Sequence, residues 1–121
     1  MKTQPYRLET VYIIGPEDGP FKVGITDDVV ARLYDLQVSH WQQLVVHGEF
    51  VVKTRQEARD VERRAHQALK PSRLRGEWFG ASLEEVTAAV AGAMPAPSVT
   101  DPRAVVELHP LNRIGRKQRH I

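Results

Sequence analysis

The chain has 121 residues, with 17 Lys and Arg against 15 Asp and Glu for a formal charge of +2, a length that holds one small domain rather than two. Hydrophobic residues make up 41% and charged residues 26%, close to ordinary globular usage, which excludes a disordered chain or a coiled coil. The absence of cysteine excludes a disulfide framework, a thiolate nucleophile and Cys-ligated zinc, leaving His and carboxylates as candidate metal ligands.

A first strand is expected at residues 10–14, where Thr10-Val11-Tyr12-Ile13-Ile14 collects β-branched and aromatic side chains before the turn-forming run Gly15-Pro16-Glu17-Asp18-Gly19-Pro20. Phe21-Lys22-Val23-Gly24-Ile25 follows at once, so the two runs read as a β-hairpin with a loop longer than the two-residue minimum. Gly24 inside the second run points to a close backbone approach or a bulge. Thr26-Asp27-Asp28 offers an N-cap for a helix to about Gln37, with Val29, Leu33 and Leu36 on one face and Arg32 off that stripe. Residues 43–52 read as a third strand, bulged at Gly48.

Thr54-Arg55-Gln56-Glu57 is a capping box ahead of the longest helix, to about Leu69. Ala58, Val61, Ala65, Ala68 and Leu69 form its apolar stripe, and Glu62 and His66, four apart, project together on the adjoining side. Pro71 ends it. An Arg-rich loop leads to Glu77-Trp78-Phe79, a short anchored segment, and Ser82-Leu83-Glu84-Glu85 is a second capping box that starts a helix to about Ala93. From Pro95 onward Pro97, Pro102 and Pro110 break any long helix, with residues 104–108 a candidate edge strand. The expected organisation is a domain over residues 1–94 and a Pro-rich linker with a basic tail over residues 95–121. The expected fold class is α+β, a three-stranded antiparallel sheet flanked by helices in the order β-β-α-β-α-α.

The near-neutral total hides a segregated pattern. Residues 53–75 carry eight cations against three acids, a local +5, and residues 111–121 carry four cations and no acid, so the remainder sums to −7. Two basic segments on an acidic body are the footprint of a phosphate-backbone binder, with Arg55, Arg59, Arg63, Lys70, Arg73, Arg75, Arg116 and Lys117 as the candidate nucleic-acid contacts. The bland alternative is a solvated helix face. No apolar run approaches the ~18 residues of a membrane span, and the start of the chain lacks the apolar stretch of a signal peptide. The expectation is a cytoplasmic protein with no membrane partner.

Four polar residues punctuate this order: Tyr12, Lys22, Arg32 and Glu62. Val11-Tyr12-Ile13, then Lys22-Val23-Gly24, then Arg32, then Glu62 resemble the ordered motifs of the GIY-YIG nuclease superfamily. The nearest likeness is to its small phage and bacterial branch, with Lys in the second motif and a closing Gly76-Glu77-Trp78-Phe79. Leu36-Gln37 and the pairing of Glu62 with His66 add to the likeness, which covers about residues 10–93.

The resemblance implies a divalent-metal-dependent endonuclease that hydrolyses phosphodiester bonds of DNA with Mg²⁺ or Mn²⁺, and it implies Tyr12, Lys22, Arg32 and Glu62 as the catalytic set. The residue types suit that chemistry. Glu62 is a hard oxygen ligand for the metal, and Arg32 is a planar, bidentate phosphoryl clamp. Tyr12 could act as general base or orient the attacking water, helped by Lys22 if it sits directly across the hairpin. His66 and His40 are possible accessory groups.

Taken singly, each residue has a bland reading. Tyr12 is a core aromatic, Glu62 with Arg59 and His66 an exposed helix face, Trp78 and Phe79 core anchors, and Glu77 a turn residue before it is a ligand. The competing function is a catalytically inactive module of the same fold that binds nucleic acid or protein in a phage or bacterial assembly. A domain this short has little surface for sequence readout, so a protein partner or homodimer could supply targeting. RNA is not excluded as the substrate.

Overall fold

A computed structural model describes residues 8–95. The candidate strand at residues 104–108 and the tail cations Arg116 and Lys117 lie outside them. The fold is α+β: an antiparallel sheet with helices on both faces, and no helix among the described residues is long and apolar enough to cross a membrane.

The chain begins with β1 (Glu9–Gly15) and β2 (Phe21–Thr26), continues through α1 (Val29–Val38) to β3 (Val45–Val52), and then enters α2 (Arg55–Ala68). After a single 3₁₀ turn (Lys70–Ser72) come β4 (Arg73–Arg75), β5 (Trp78–Phe79) and α3 (Leu83–Ala93). The sheet has five strands in the order β3-β1-β2-β5-β4, not the expected three. The two extra strands are three and two residues long, too short for a period-2 pattern to register, and β4 is exposed throughout.

β1 lies between β3 and β2, and its alternation assigns the two layers. Val11 and Ile13 join Phe21, Val23, Phe50 and Phe79 against α2 and α3, whereas Tyr12 and Ile14 join Leu44 beneath α1. α2 lays Ala58, Val61 and Ala65 on the first layer, and α3 adds Val86, Val90 and Ala93. Ala68, expected in that stripe, is exposed; Leu69 just past the helix takes the buried place. Arg64 donates from Nε and Nη2 to the carbonyl of Ala93 at 3.2 and 2.6 Å, so one of the helix's cations closes the end of α3.

The helix starts follow the expected chemistry, with one shift. Ser82 and Glu85 form a complete capping box. Thr54 accepts from the Glu57 amide at 3.0 Å, but the Glu57 carboxylate reaches back one residue further, to the Lys53 amide at 3.1 Å. In β3 the bulge falls at His47: Ile13 faces Gly48 and Ile14 faces Val46. The extra residue turns its ring Nε2 to the carbonyls of Gly15 and Pro16, both at 3.1 Å.

Candidate active site

Tyr12 is set by the hairpin. It pairs with Gly24 across β1 and β2, and the hydroxyl end of its ring crosses that glycine: a Cβ there would meet the phenol oxygen and stand 2.6 Å from Cζ. Gly24 is therefore a close approach, one of the two readings its place in the strand allowed. The ring is 1% exposed, and its hydroxyl accepts from Arg32 Nε at 3.3 Å. Arg32 rides on α1, held over the sheet by Leu33 and Leu36 and started by Asp28, whose carboxylate caps the Ala31 amide at 3.0 Å. The hydrogen bond to Tyr12 raises the Arg32 pKa; burial opposes it, while the charges of Asp35 and Glu77 reinforce it.

Lys22 does not stand across from Tyr12; its cross-strand partner is Ile14. Two residues of separation along β2 keep both side chains on one face but put the ammonium beside the neighbouring strand β5. There Lys22 Nζ donates to Glu77 Oε1 at 2.8 Å and lies 5.9 Å from the centre of the Trp78 ring. The residue is 8% exposed, so this ion pair is what makes its burial tolerable.

Glu62 comes to the same carboxylate from the opposite layer. Half-buried on α2, it lies within hydrogen-bonding reach of the Glu77 carboxyl, and its own pKa is pushed up to about 7. Burial is the largest cause, the negative charge of Glu77 the next and the hydrogen bond to Glu77 the third; Lys22 and Arg55 pull the other way. Glu77 thus acts on both halves of the site, on Glu62 and Lys22 by contact and on Arg32 through its charge.

Glu77 is the functional candidate that sequence reasoning undervalued as a turn residue. Its backbone carbonyl accepts from the Val23 amide at 3.1 Å, so β5 is anchored to β2 where its side chain enters the site. Gly76, with φ +55, makes the turn from β4 that allows this entry. The available signal was an acid fixed between a turn glycine and two aromatics that anchor the segment.

Phe79 is fully buried, as a core anchor should be, but Trp78 is only half-buried and stacks on His40 at 5.7 Å. His66 turns Nε2 to the Val23 carbonyl at 2.9 Å, which fastens α2 to β2 and requires the proton on that nitrogen. Of the candidate nucleic-acid contacts, Arg55 is paired with the buried Glu9 at 2.9 Å and Arg63 with Asp60 at 2.9 Å. Arg59, Lys70, Arg73 and Arg75 are exposed and make no ion pair among the described residues. The apolar groove between the end of α2 and α3, lined by Leu69, Pro71, Ala81 and Ala88, contains none of the candidate site groups.

A family model, the T5orf172 domain, matches residues 9–93, which spans the whole described fold from β1 to the end of α3. The chain belongs to the T5orf172 domain family. Domains of this family occur in phage and bacterial endonuclease-like proteins and are related to the GIY-YIG-like nucleases. A search of curated proteins and a search of solved structures each returned no match. The T5orf172 match contains Tyr12, Lys22, Arg32, Glu62 and Glu77, together with the two short strands that add to the expected sheet.

Whether a divalent cation suits this T5orf172 site turns on its carboxylates. Among the described residues no group of three or more His, Asp or Glu gathers as a metal cluster. Glu62 and Glu77 do face each other as hard oxygen donors with one nearby ammonium, and the proton Glu62 retains to about pH 7 reflects its burial first and the Glu77 charge second. Mg²⁺ takes only one or two protein carboxylates and keeps waters for the rest of its shell, so the pair fits it.

Proposed function

We propose that this T5orf172 domain is a divalent-metal-dependent endonuclease that hydrolyses phosphodiester bonds of DNA, with Glu62 as metal ligand and Glu77 beside it. The observation that carries the reading is the joining of two pairs, Tyr12 with Arg32 and Lys22 with Glu77, through the Glu77 charge that also acts on Glu62. Three residues from β2, α1 and α2 have no structural reason to share one carboxylate's field.

The chain's own groups divide the task. Arg32 keeps its two terminal nitrogens for a phosphoryl group while Nε fixes the Tyr12 oxygen. Because that oxygen already accepts from Arg32, the Tyr12 hydroxyl keeps its own proton to donate and so to orient an attacking water. Lys22 holds Glu77 in place and partly balances the added charge. A bound Mg²⁺ or Mn²⁺ would polarise the phosphate and stabilise the departing oxygen. Arg59, Lys70, Arg73 and Arg75 are cations without an ion pair among the described residues and suited to the flanking backbone.

The test is cleavage of supercoiled, duplex, branched and single-stranded DNA, with RNA beside them, in Mg²⁺ and Mn²⁺. Glu62→Gln is expected to lower cleavage at least a hundred-fold with DNA affinity retained. Unchanged metal-dependent cutting by that variant would refute the assignment.

One observation favours a second reading. Lys22, Glu77 and a protonated Glu62 already form a mutually satisfied network, as a scaffold retained for binding alone would have. Under that reading wild-type protein binds DNA or a protein partner and leaves every substrate uncut in either metal.

A further inference from the structure

α1 carries two apolar stripes. Leu33 and Leu36 face the sheet, while Val30, Tyr34 and Val38, spaced four apart, run along the outer side and lead to Trp41 just past the helix. Their exposures are 66%, 70%, 86% and 90%, so nothing in the described fold covers them. Two nearly bare aromatics and two valines present roughly 600 Å² of contiguous apolar surface, the upper end of what a soluble monomer shows.

The surroundings narrow the occupant. Residues 27–41 carry Asp27, Asp28 and Asp35 against one arginine, Arg32, whose Nε is engaged by Tyr12. None of these acids belongs to the stripe, whose four side chains are uncharged and offer no cation to a phosphate backbone or an anionic lipid surface. Two such faces together would bury about 1,200 Å², which reaches the lower bound of a stable protein interface. The four-residue spacing is the ridge that interdigitates with its own copy, and the small Ala31 beside Tyr34 leaves space for the facing phenol.

We propose that the outer face of α1, with Trp41, is the self-pairing surface of a homodimer whose two-fold axis passes near Tyr34. The helices cross with Val30 of one copy toward Val38 of the other, an isologous contact that closes on itself. Pairing is independent of nuclease activity, because mass is measured whether or not the chain cuts DNA.

The experiment is sedimentation of the full chain from about 1 to about 500 µM, the range in which an interface at the small end of the size scale is populated. The expected result is a reversible dimer, with Trp41 fluorescence shifting to shorter wavelength as concentration rises. Trp41→Glu and Tyr34→Glu should each give a monomer with an unchanged circular dichroism spectrum, since both sites are exposed. The chain has no cysteine, so Tyr34→Cys introduces a single thiol, expected to form a disulfide-linked dimer under mild oxidation. A monomer at every concentration overturns the proposal, as does a dimer that persists in Trp41→Glu. Quenching of Trp41 by single-stranded DNA in a protein that stays monomeric also overturns it and makes the stripe a base-stacking platform instead.

Discussion

On one face of the sheet α2 and α3 enclose a cluster of fifteen buried apolar side chains; on the other, α1 contributes no buried residue, and Tyr12, Ile14 and Leu44 make up the buried apolar cluster among the described residues. The thick layer holds the fold together by hydrocarbon burial. Beneath the thin layer, hydrocarbon gives way to a phenol, a guanidinium and an ammonium, groups that would be costly inside a sealed core but are usable where substrate can reach them. Glu62 crosses from the thick side to meet Glu77 at the sheet edge, so the candidate site lies where one regime ends and the other begins.

Truncations on the two faces should differ most in stability. Phe79→Ala removes a fully buried ring between the sheet and His66 and is expected to cost about 3–5 kcal/mol, whereas Leu36→Ala beneath α1 should cost about 1–2 kcal/mol. Urea denaturation of both variants checks this, and equal losses would erase the distinction between the layers. A smaller effect is expected at Gly24, where a methyl group collides with the Tyr12 ring. Gly24→Ala should cost about 1–3 kcal/mol, and by displacing Tyr12 from Arg32 it should reduce cleavage more than DNA binding.

The pH dependence sharpens the boundary between the faces. The folded chain holds the Glu62 proton more tightly than an unfolded chain with the ordinary value of 4.5. The stability from that proton is complete below about pH 4.5 and is lost as pH rises through about 7. Glu62→Gln cannot ionise, so it should match wild type near pH 5 and exceed it above pH 7. The expected gain is about 1–2 kcal/mol, since solvent screening at a half-buried site reduces the ~3 kcal/mol implied by the full shift. Thermal melts across that range measure the difference. The smallest change is expected from Arg73→Ala and Arg75→Ala, each lowering the slope of log affinity against log salt by about 0.9 if it contacts one phosphate of duplex DNA.

The sequence carried most of the thick layer plainly. Val11 and Ile13 alternate in β1, and Ala58, Val61 and Ala65 recur at helical spacing, so their periods report both element and buried face. Ala68 broke that pattern because α2 ends at it and Leu69 folds under instead. β4 and β5 were hidden because their partners, not their composition, make them strands: Phe21 pairs with Phe79 and Lys22 with Trp78, contacts more than fifty residues apart.

At the site, the residue types and their order were legible and the connections were not. Lys22 was expected to face Tyr12, but the hairpin register puts it opposite Ile14, where its long stem delivers the charge to Glu77. Local reading gave Glu77 the role of a turn residue, since nothing in Gly76-Glu77-Trp78 reveals the carboxyl of Glu62 arriving from a separate helix. His66 was paired with Glu62 by spacing alone; the Val23 carbonyl takes its nitrogen instead.

Between α1 and β3 one side chain bonds three backbone groups. Gln37 donates from Nε2 to the carbonyls of His40 and Gln42 at 3.1 and 2.8 Å and accepts the Leu44 amide at Oε1 at 2.8 Å. Three partners of fixed polarity permit one orientation of that amide and forbid its acid analogue, which would aim lone pairs at two carbonyl oxygens. The segment that seats His40 against Trp78 is thus fastened by a clasp that hydrolysis of one amide would open, with no change of fold needed elsewhere.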